Sequence, residues 1–175
     1  ANYFGQDTIT YTISDVNGGE VTKTLTIQIN NINDAPISTI TTATTNEETP
    51  ILIDVLSGAN DIEGDALTIT NATNGAHGTS QIVNNKIQYT PTANYFGQDT
   101  ISYTISDGNG GDVTQNLTIQ IDNVNDRPMA TITTATTNEE TPILIDVLSG
   151  ASDIDGDTLT ISNVTNGAHG TTQIV

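Results

Sequence analysis

Two stretches of the chain repeat almost letter for letter. Ala1-Asn2-Tyr3-Phe4-Gly5-Gln6-Asp7-Thr8 returns as Ala93 to Thr100, and Thr45-Asn46-Glu47-Glu48-Thr49-Pro50 returns as Thr137 to Pro142, each at an offset of 92 residues. Self-similarity at a fixed period marks an array of structural units and constrains the fold more than any single motif does. A period of 92 residues is too long for a helical or leucine-rich solenoid and suits a whole small β domain.

Boundaries fall at Asn33-Asp34-Ala35-Pro36 and Asn125-Asp126-Arg127-Pro128. Proline fixes φ, lacks a donor and pushes the residue before it to an extended shape, so a polar stretch ending in Pro makes a joint. The chain then parses into residues 1–35, the C-terminal part of one repeat, residues 36–127, a complete repeat, and residues 128–175, the N-terminal half of the next. The two partial segments together lack only the counterpart of Asn84 to Thr92. Because the chain opens in mid-repeat, it reads as part of something longer.

Within the complete repeat, Ile51, Ile53 and Val55 alternate, as do Leu67 and Ile69, Ile101, Tyr103 and Ile105, and Leu117, Ile119 and Ile121. Thr, Ser or Gln stands between most of them, the pattern of strands with one face buried. Ser57-Gly58, Asn74-Gly75, Asn84-Asn85 and Asp107-Gly108-Asn109-Gly110-Gly111 punctuate the strands as turns, the last as a hairpin. The expected fold is all-β, with about seven strands per repeat in tandem Ig-like Greek-key β-sandwiches of about 92 residues. The paired Tyr3-Phe4 and Tyr95-Phe96, each before a glycine, are expected to plug the end of the core.

Charge narrows the partners. Lys23, Lys86 and Arg127 face 21 Asp and Glu, for a formal charge of -18. No basic patch for phosphates can be built from three such residues, which argues against nucleic acid and anionic membrane surfaces. A cationic partner fits instead. The chain has no Cys, hence no disulfide framework and no thiolate chemistry, a lean toward a bacterial product. No apolar run of about 18 residues is present, so direct membrane insertion is not expected.

The acidic residues gather in three places. Asp61-Ile62-Glu63-Gly64-Asp65 recurs as Asp153-Ile154-Asp155-Gly156-Asp157, with carboxylates at alternate positions just before the expected Leu67 and Leu159 strands. In an extended segment alternate side chains share a side, so three carboxylates would converge. Unit charges about 4 Å apart repel by roughly 4 kcal/mol at an effective dielectric of 20, and a bound cation removes that cost. The joints add Asn31, Asn33 and Asp34, then Asp122, Asn123, Asn125 and Asp126. The hairpin adds Asp107 and Asn109, with Asp15 and Asn17 in the earlier copy. In a seven-strand sandwich the Asp61 loop, the Asp107 hairpin and the incoming joint lie at one end. Hard oxygen ligands without Cys or His favour Ca2+ over a transition metal. The competing reading is that Asp and Asn simply favour turns. An EF-hand fails, because the twelfth position from Asp153 is Val164.

The set of motifs resembles the cadherin repeat. Asp122-Asn123-Val124-Asn125-Asp126-Arg127-Pro128 resembles the cadherin linker with a small spacing change, Asp153-Ile154-Asp155 its Asp-x-Asp motif, and Ile105-Ser106-Asp107-Gly108 the segment before its last strand. Asn46-Glu47-Glu48 is similar to the stretch near its start. Over the whole chain the nearest likeness is to the bacterial cadherin-like tandem repeats of very large surface adhesins. The resemblance implies calcium at the junctions, with Glu47 or Glu48 reaching across from the upstream unit. Animal cadherins carry an acidic Leu-Asp-Arg-Glu motif where this chain has Thr92-Ala93-Asn94-Tyr95-Phe96, which implies fewer ions per junction.

Other features carry less. His77 and His169 sit in Asn-Gly-Ala-His-Gly and read as turn residues, and Asn71, Asn116 and Asn163 match the N-glycosylation pattern that an Asn- and Thr-rich chain produces by chance. No nucleophile–base pair suggests an enzyme. The expected role is a structural extender of a secreted or surface-anchored adhesin. Its partners would be neighbouring repeats, with calcium at the joints. Two alternatives stay open: a directly adhesive module for glycans, cell-surface receptors or identical repeats, and a fibre subunit joined by complementary half-repeats.

Overall fold

The computed structural model describes residues 2–175; Ala1, which opens the recurring motif and the 1–35 segment, lies outside the described residues. The strands run in chain order as β1 (Gly5–Ser14), β2 (Glu20–Ile29), β3 (Ile37–Ser38), β4 (Thr42–Asn46), β5 (Ile51–Ile53), β6 (Ala59–Asn60), β7 (Thr68–Ala72), β8 (Gly78–Val83), β9 (Lys86–Pro91), β10 (Gly97–Ser106), β11 (Asp112–Asp122), β12 (Met129–Ala130) and β13 (Ala151–Ser152). Two short 3-10 turns, Val55–Gly58 and Leu148–Gly150, are the helical elements among the described residues.

Strands β3 to β11, residues 37–122, form the sandwich. One sheet has the order β4-β11-β10-β7 and the other β5-β9-β8, with β3 and β6 paired beside them. Sheet neighbours distant in sequence require the crossovers of a Greek key. β10 and β11 are antiparallel from Gly97↔Ile121 to Ser106↔Asp112, while β4 runs parallel to β11 from Thr42↔Thr118 to Asn46↔Asp122.

The alternation read from sequence sets the inner face. Ile101, Tyr103 and Ile105 of β10 and Leu117, Ile119 and Ile121 of β11 are buried against Ile53, Val55, Ile69, Ile87 and Tyr89. Each such side chain contributes about 1.5–3 kcal/mol of apolar burial. Thr104 and Thr114 join hydroxyls across the outer face at 2.9 Å. Two buried tyrosines find polar partners. The Tyr103 hydroxyl lies 2.7 Å from Ser38 Oγ and donates to the Ile40 carbonyl at 2.7 Å, pinning the incoming chain to β10.

The flanking segments keep the pattern without the burial. β1 and β2 pair from Gly5↔Ile29 to Ser14↔Glu20, the register of β10 and β11 shifted by the repeat. Tyr11 is nevertheless 44% exposed where Tyr103 is 0% exposed. Leu159 to Ile161, expected as a strand, forms no ladder. Its counterpart β7 is held by pairing to β10, and residues 128–175 have no such partner strand among the described residues.

The aromatic plug holds only in part. Tyr95 packs against the core and stacks on His77, ring centroids 3.7 Å apart. Phe96 is 47% exposed, and Tyr3 and Phe4 are exposed as well. Asn94 at φ +57° and Gly97 at φ +129° flank the two aromatic residues in this loop.

Candidate metal centre

The hairpin between β10 and β11 supplies the first carboxylate of the cluster. Asp107 begins the turn, and its Oδ1 accepts from the Asn109 and Gly111 N–H groups at 2.7 and 2.9 Å. Its Oδ2 accepts from Asn33 Nδ2 at 2.7 Å. The Asn33 amide, opposed by burial and reinforced by the backbone donors, holds the Asp107 carboxyl below the usual carboxylate range. Gly111 allows this closeness: a Cβ there would lie 2.8 Å from Ala35 Cα and 3.0 Å from the Asp34 carbonyl oxygen, so the linker lies directly over the hairpin.

The Asp61 segment is a turn rather than an extended run. Asp61 Oδ1 accepts from the N–H groups of Glu63 and Asp65 at 2.9 and 3.2 Å, and Gly64 sits at φ +82°. The turn breaks the alternation expected from spacing, so the carboxylates that meet are Asp61, Asp65 and Asp107, with one oxygen of each within 4.8 Å of the others. Glu63 turns to the linker instead, where its Oε2 accepts from the Asp34 N–H at 3.1 Å. Asn109 Nδ2 donates to Asp65 Oδ2 at 2.8 Å. Asp61 is 7% and Asp107 4% exposed, and Asp61 Oδ2 is buried without a hydrogen-bond partner among the described residues.

The downstream joint holds equivalent parts. Glu47 is 2% exposed. Its N–H donates to the Asp122 carbonyl at 2.9 Å, its Oε1 accepts from the Val124 N–H at 2.6 Å, and its Oε2 is buried and unpartnered among the described residues. The Asp126 N–H donates to Asp155 Oδ2 at 2.7 Å, as that of Asp34 does to Glu63. Asp153 Oδ1 accepts from the Asp155 and Asp157 N–H groups, repeating the Asp61 turn. Asn125, Asp122, Asp157 and Glu48 are exposed. Glu48 occupies a left-handed turn position at φ +59°, beside the inward Glu47.

One buried carboxylate escaped the sequence reading. Asp99 is 4% exposed and accepts from the Tyr89 hydroxyl at 2.6 Å and from the Ala76, His77 and Thr100 N–H groups at 2.9, 3.0 and 2.9 Å. Burial pushes its carboxyl up, but these hydrogen bonds outweigh burial and leave it below the usual range. Burial, then the Asp99 charge, pushes the Tyr89 hydroxyl up. The signal was parity: Asp99 shares the inward phase of Ile101, Tyr103 and Ile105.

Family comparison agrees with this architecture. The model for the bacterial Ig domain matches residues 33–120, half of the chain. The chain belongs to the bacterial Ig domain family. A cadherin-like domain model matches residues 124–174 of this bacterial Ig protein. Domains of these two kinds fit an extracellular, adhesin-type module. A comparison with curated proteins finds no match.

Among solved structures, the endo-fucoidan hydrolase MfFcnA4 from glycoside hydrolase family 107 is 18% identical at a TM-score of 0.38, covering 69% of this chain and 19% of that one. A nucleoside hydrolase-related hypothetical protein from Saccharophagus degradans, associated with carbohydrate metabolism, is 17% identical at a TM-score of 0.37, covering 53% of this chain and 26% of its own. The bacterial Ig protein thus spans about a fifth to a quarter of the length of these chains, and likeness of this degree carries no statement about activity.

Proposed function

We propose that this bacterial Ig protein is a non-enzymatic extender segment of a surface or secreted adhesin, in which Ca2+ at the joints holds successive units in line. The observation that carries the reading is a pair of buried carboxylate oxygens, Asp61 Oδ2 and Glu47 Oε2, with no partner among the described residues. An orphaned buried carboxylate is costly and is normally paired or bound to a metal.

The repeat offset relates the two joints. Asp61, Asp65, Asp107, Asn33 and Asp34 furnish the downstream wall of one joint, with Glu63 oriented to its linker. Glu47 and Asp122 furnish the upstream wall of the other, Asn125 and Asp126 its linker, and Asp153, Asp155 and Asp157 its downstream wall. Superposed at 92 residues, they make one all-oxygen ligand set from two units and their connector, the donor chemistry Ca2+ prefers. Bound ions would offset the repulsion within the cluster and tie both walls together.

Calcium titration of the whole chain tests this. Extracellular modules bind with dissociation constants of about 10⁻⁴ to 10⁻³ M, and a hundredfold excess adds about 2.7 kcal/mol per site to the folded state. EDTA is expected to lower the melting temperature and to broaden the small-angle scattering distance distribution. Identical melting and scattering in EDTA and in Ca2+ would remove calcium from the function.

A second reading, assembly of copies into a fibre, is favoured by the apolar faces of the flanking segments. Ile9, Tyr11, Leu25 and Ile145 are exposed, although their repeat counterparts Ile101, Tyr103, Leu117 and Ile53 are core residues. Light scattering that stays monomeric at rising concentration would dismiss it.

A further inference from the structure

The two joints share a second feature, a cleft on the flank of the linker. One, of about 500 Å³, is lined by Asn94, Asp126, Met129, Ser152 and Ile154 among others. The other, at the first joint along the chain and of about 260 Å³, is lined by Asn2, Asp34, Ile37, Asn60 and Ile62 among others. These five pairs are the same five repeat positions, each 92 residues apart. The cleft is therefore built into the joint, with an amide from the Tyr-Phe-Gly loop of one unit facing the linker aspartate and an apolar pair from the next unit.

In the first of these joints the amide is engaged: Asn2 Nδ2 donates to Asp34 Oδ2 at 2.5 Å. In the second, Asp126 Oδ2 is buried without a partner among the described residues, while Asn94, an exposed donor, lines the same cleft. A carboxylate carries two oxygens and about four acceptor positions, so one oxygen can take an amide while the other faces a cation. Carboxylates that bind metal are themselves held by hydrogen bonds, and loss of such a support typically costs 10–100-fold in metal affinity.

We infer that Asn94, and Asn2 in the preceding copy, is a positioning residue of the joint, its side-chain N–H clamping the linker aspartate so that the outgoing chain is fixed to the unit it leaves. The inference rests on the calcium reading for its consequence but not for the contact itself. Asn is also suited to φ +57° at position 94, so a conformational role must be separated from the clamp. Asn94→Gly does so, because glycine keeps the backbone and removes the amide.

Two arms test the clamp on the whole chain. In EDTA, the Asn94 side-chain amide protons are expected to resonate away from free-amide positions, and Asp126→Ala to return them; resonances indifferent to Asp126→Ala would overturn the contact. In a Ca2+ titration, Asn94→Gly is expected to weaken binding about tenfold. Asn94→Asp is expected to weaken it too, by placing a second negative charge against Asp126. Unchanged affinity in Asn94→Gly, or tighter binding in Asn94→Asp, would overturn the positioning role, the latter by showing that the side chain ligates the ion through oxygen. If the unaltered chain binds no Ca2+, the calcium reading fails and the resonance arm alone decides the clamp.

Discussion

Asn33 Nδ2 donates to Asp107 Oδ2 at 2.7 Å, joining the linker that enters the sandwich to a hairpin 74 residues further along the chain. The same hairpin carboxylate stands with Asp61 and Asp65, so linker, loop and hairpin converge through one side chain.

Asp61→Asn separates a structural turn from a cation site. The asparagine keeps an oxygen to accept from the Glu63 and Asp65 N–H groups and removes one charge from the cluster. In EDTA the variant should melt at or above the unaltered chain, because one charge of the cluster and its repulsion are removed. In Ca2+ it should lose most of the stabilisation the ion confers. Scanning calorimetry in both conditions checks the pair of signs.

Asp99→Ala should destabilise the sandwich regardless of calcium. It leaves the buried Tyr89 hydroxyl and three backbone N–H groups without their acceptor. Unsatisfied buried donors cost about 1–3 kcal/mol each before relaxation, so a net loss of about 3 kcal/mol is expected in denaturant titrations. An equal loss in Ca2+ and in EDTA would separate this pin from the joint.

Acid should act through the same carboxylate. The folded-state pKa of Asp99 lies below its ordinary value, so its stabilising contribution is complete above the unfolded value of about 3.9. It is lost as pH falls through the lower folded value. Melting temperature in EDTA should drop below about pH 4, and Asp99→Asn should flatten that drop. Parallel curves for the two chains would show that other groups govern the acid limb.

Gly78→Ala probes packing alone. A Cβ at Gly78 would overlap the Tyr89 ring and hydroxyl, and Tyr89 is fully buried. Overpacking of this kind costs about 1–3 kcal/mol, and displacement of Tyr89 would also strain its bond to Asp99. A fall in the urea midpoint with unchanged calcium affinity is the expected result.

Period-2 alternation in Ile101 to Ile105 and Leu117 to Ile121 was enough to read the central sheet, because each inward position is apolar and each outward one can hydrogen-bond to water. The turns were equally plain, since glycine and asparagine mark them. Side-chain convergence at the joint was legible for Asp61, Asp65 and Asp107 but not for Glu63. Spacing alone cannot reveal that Asp61 folds its own segment into a turn by accepting two N–H groups. Asp99 was overlooked because an inward acid contradicts a hydrophobic pattern, although its phase was visible. Asn94 looked like a missing acid; only the geometry of the two clefts shows it beside the linker carboxylate.

The parallel pairing of β4 with β11 has a mechanical consequence. The chain enters the sandwich through the short β3, runs on into β4 and leaves just after β11. Tension applied between those two ends slides the strands lengthwise past each other, loading the ladder from Thr42 to Asn46 in shear. Its hydrogen bonds must then yield together rather than unzip singly, so the strand pair that closes the fold is also the one oriented to resist being pulled straight.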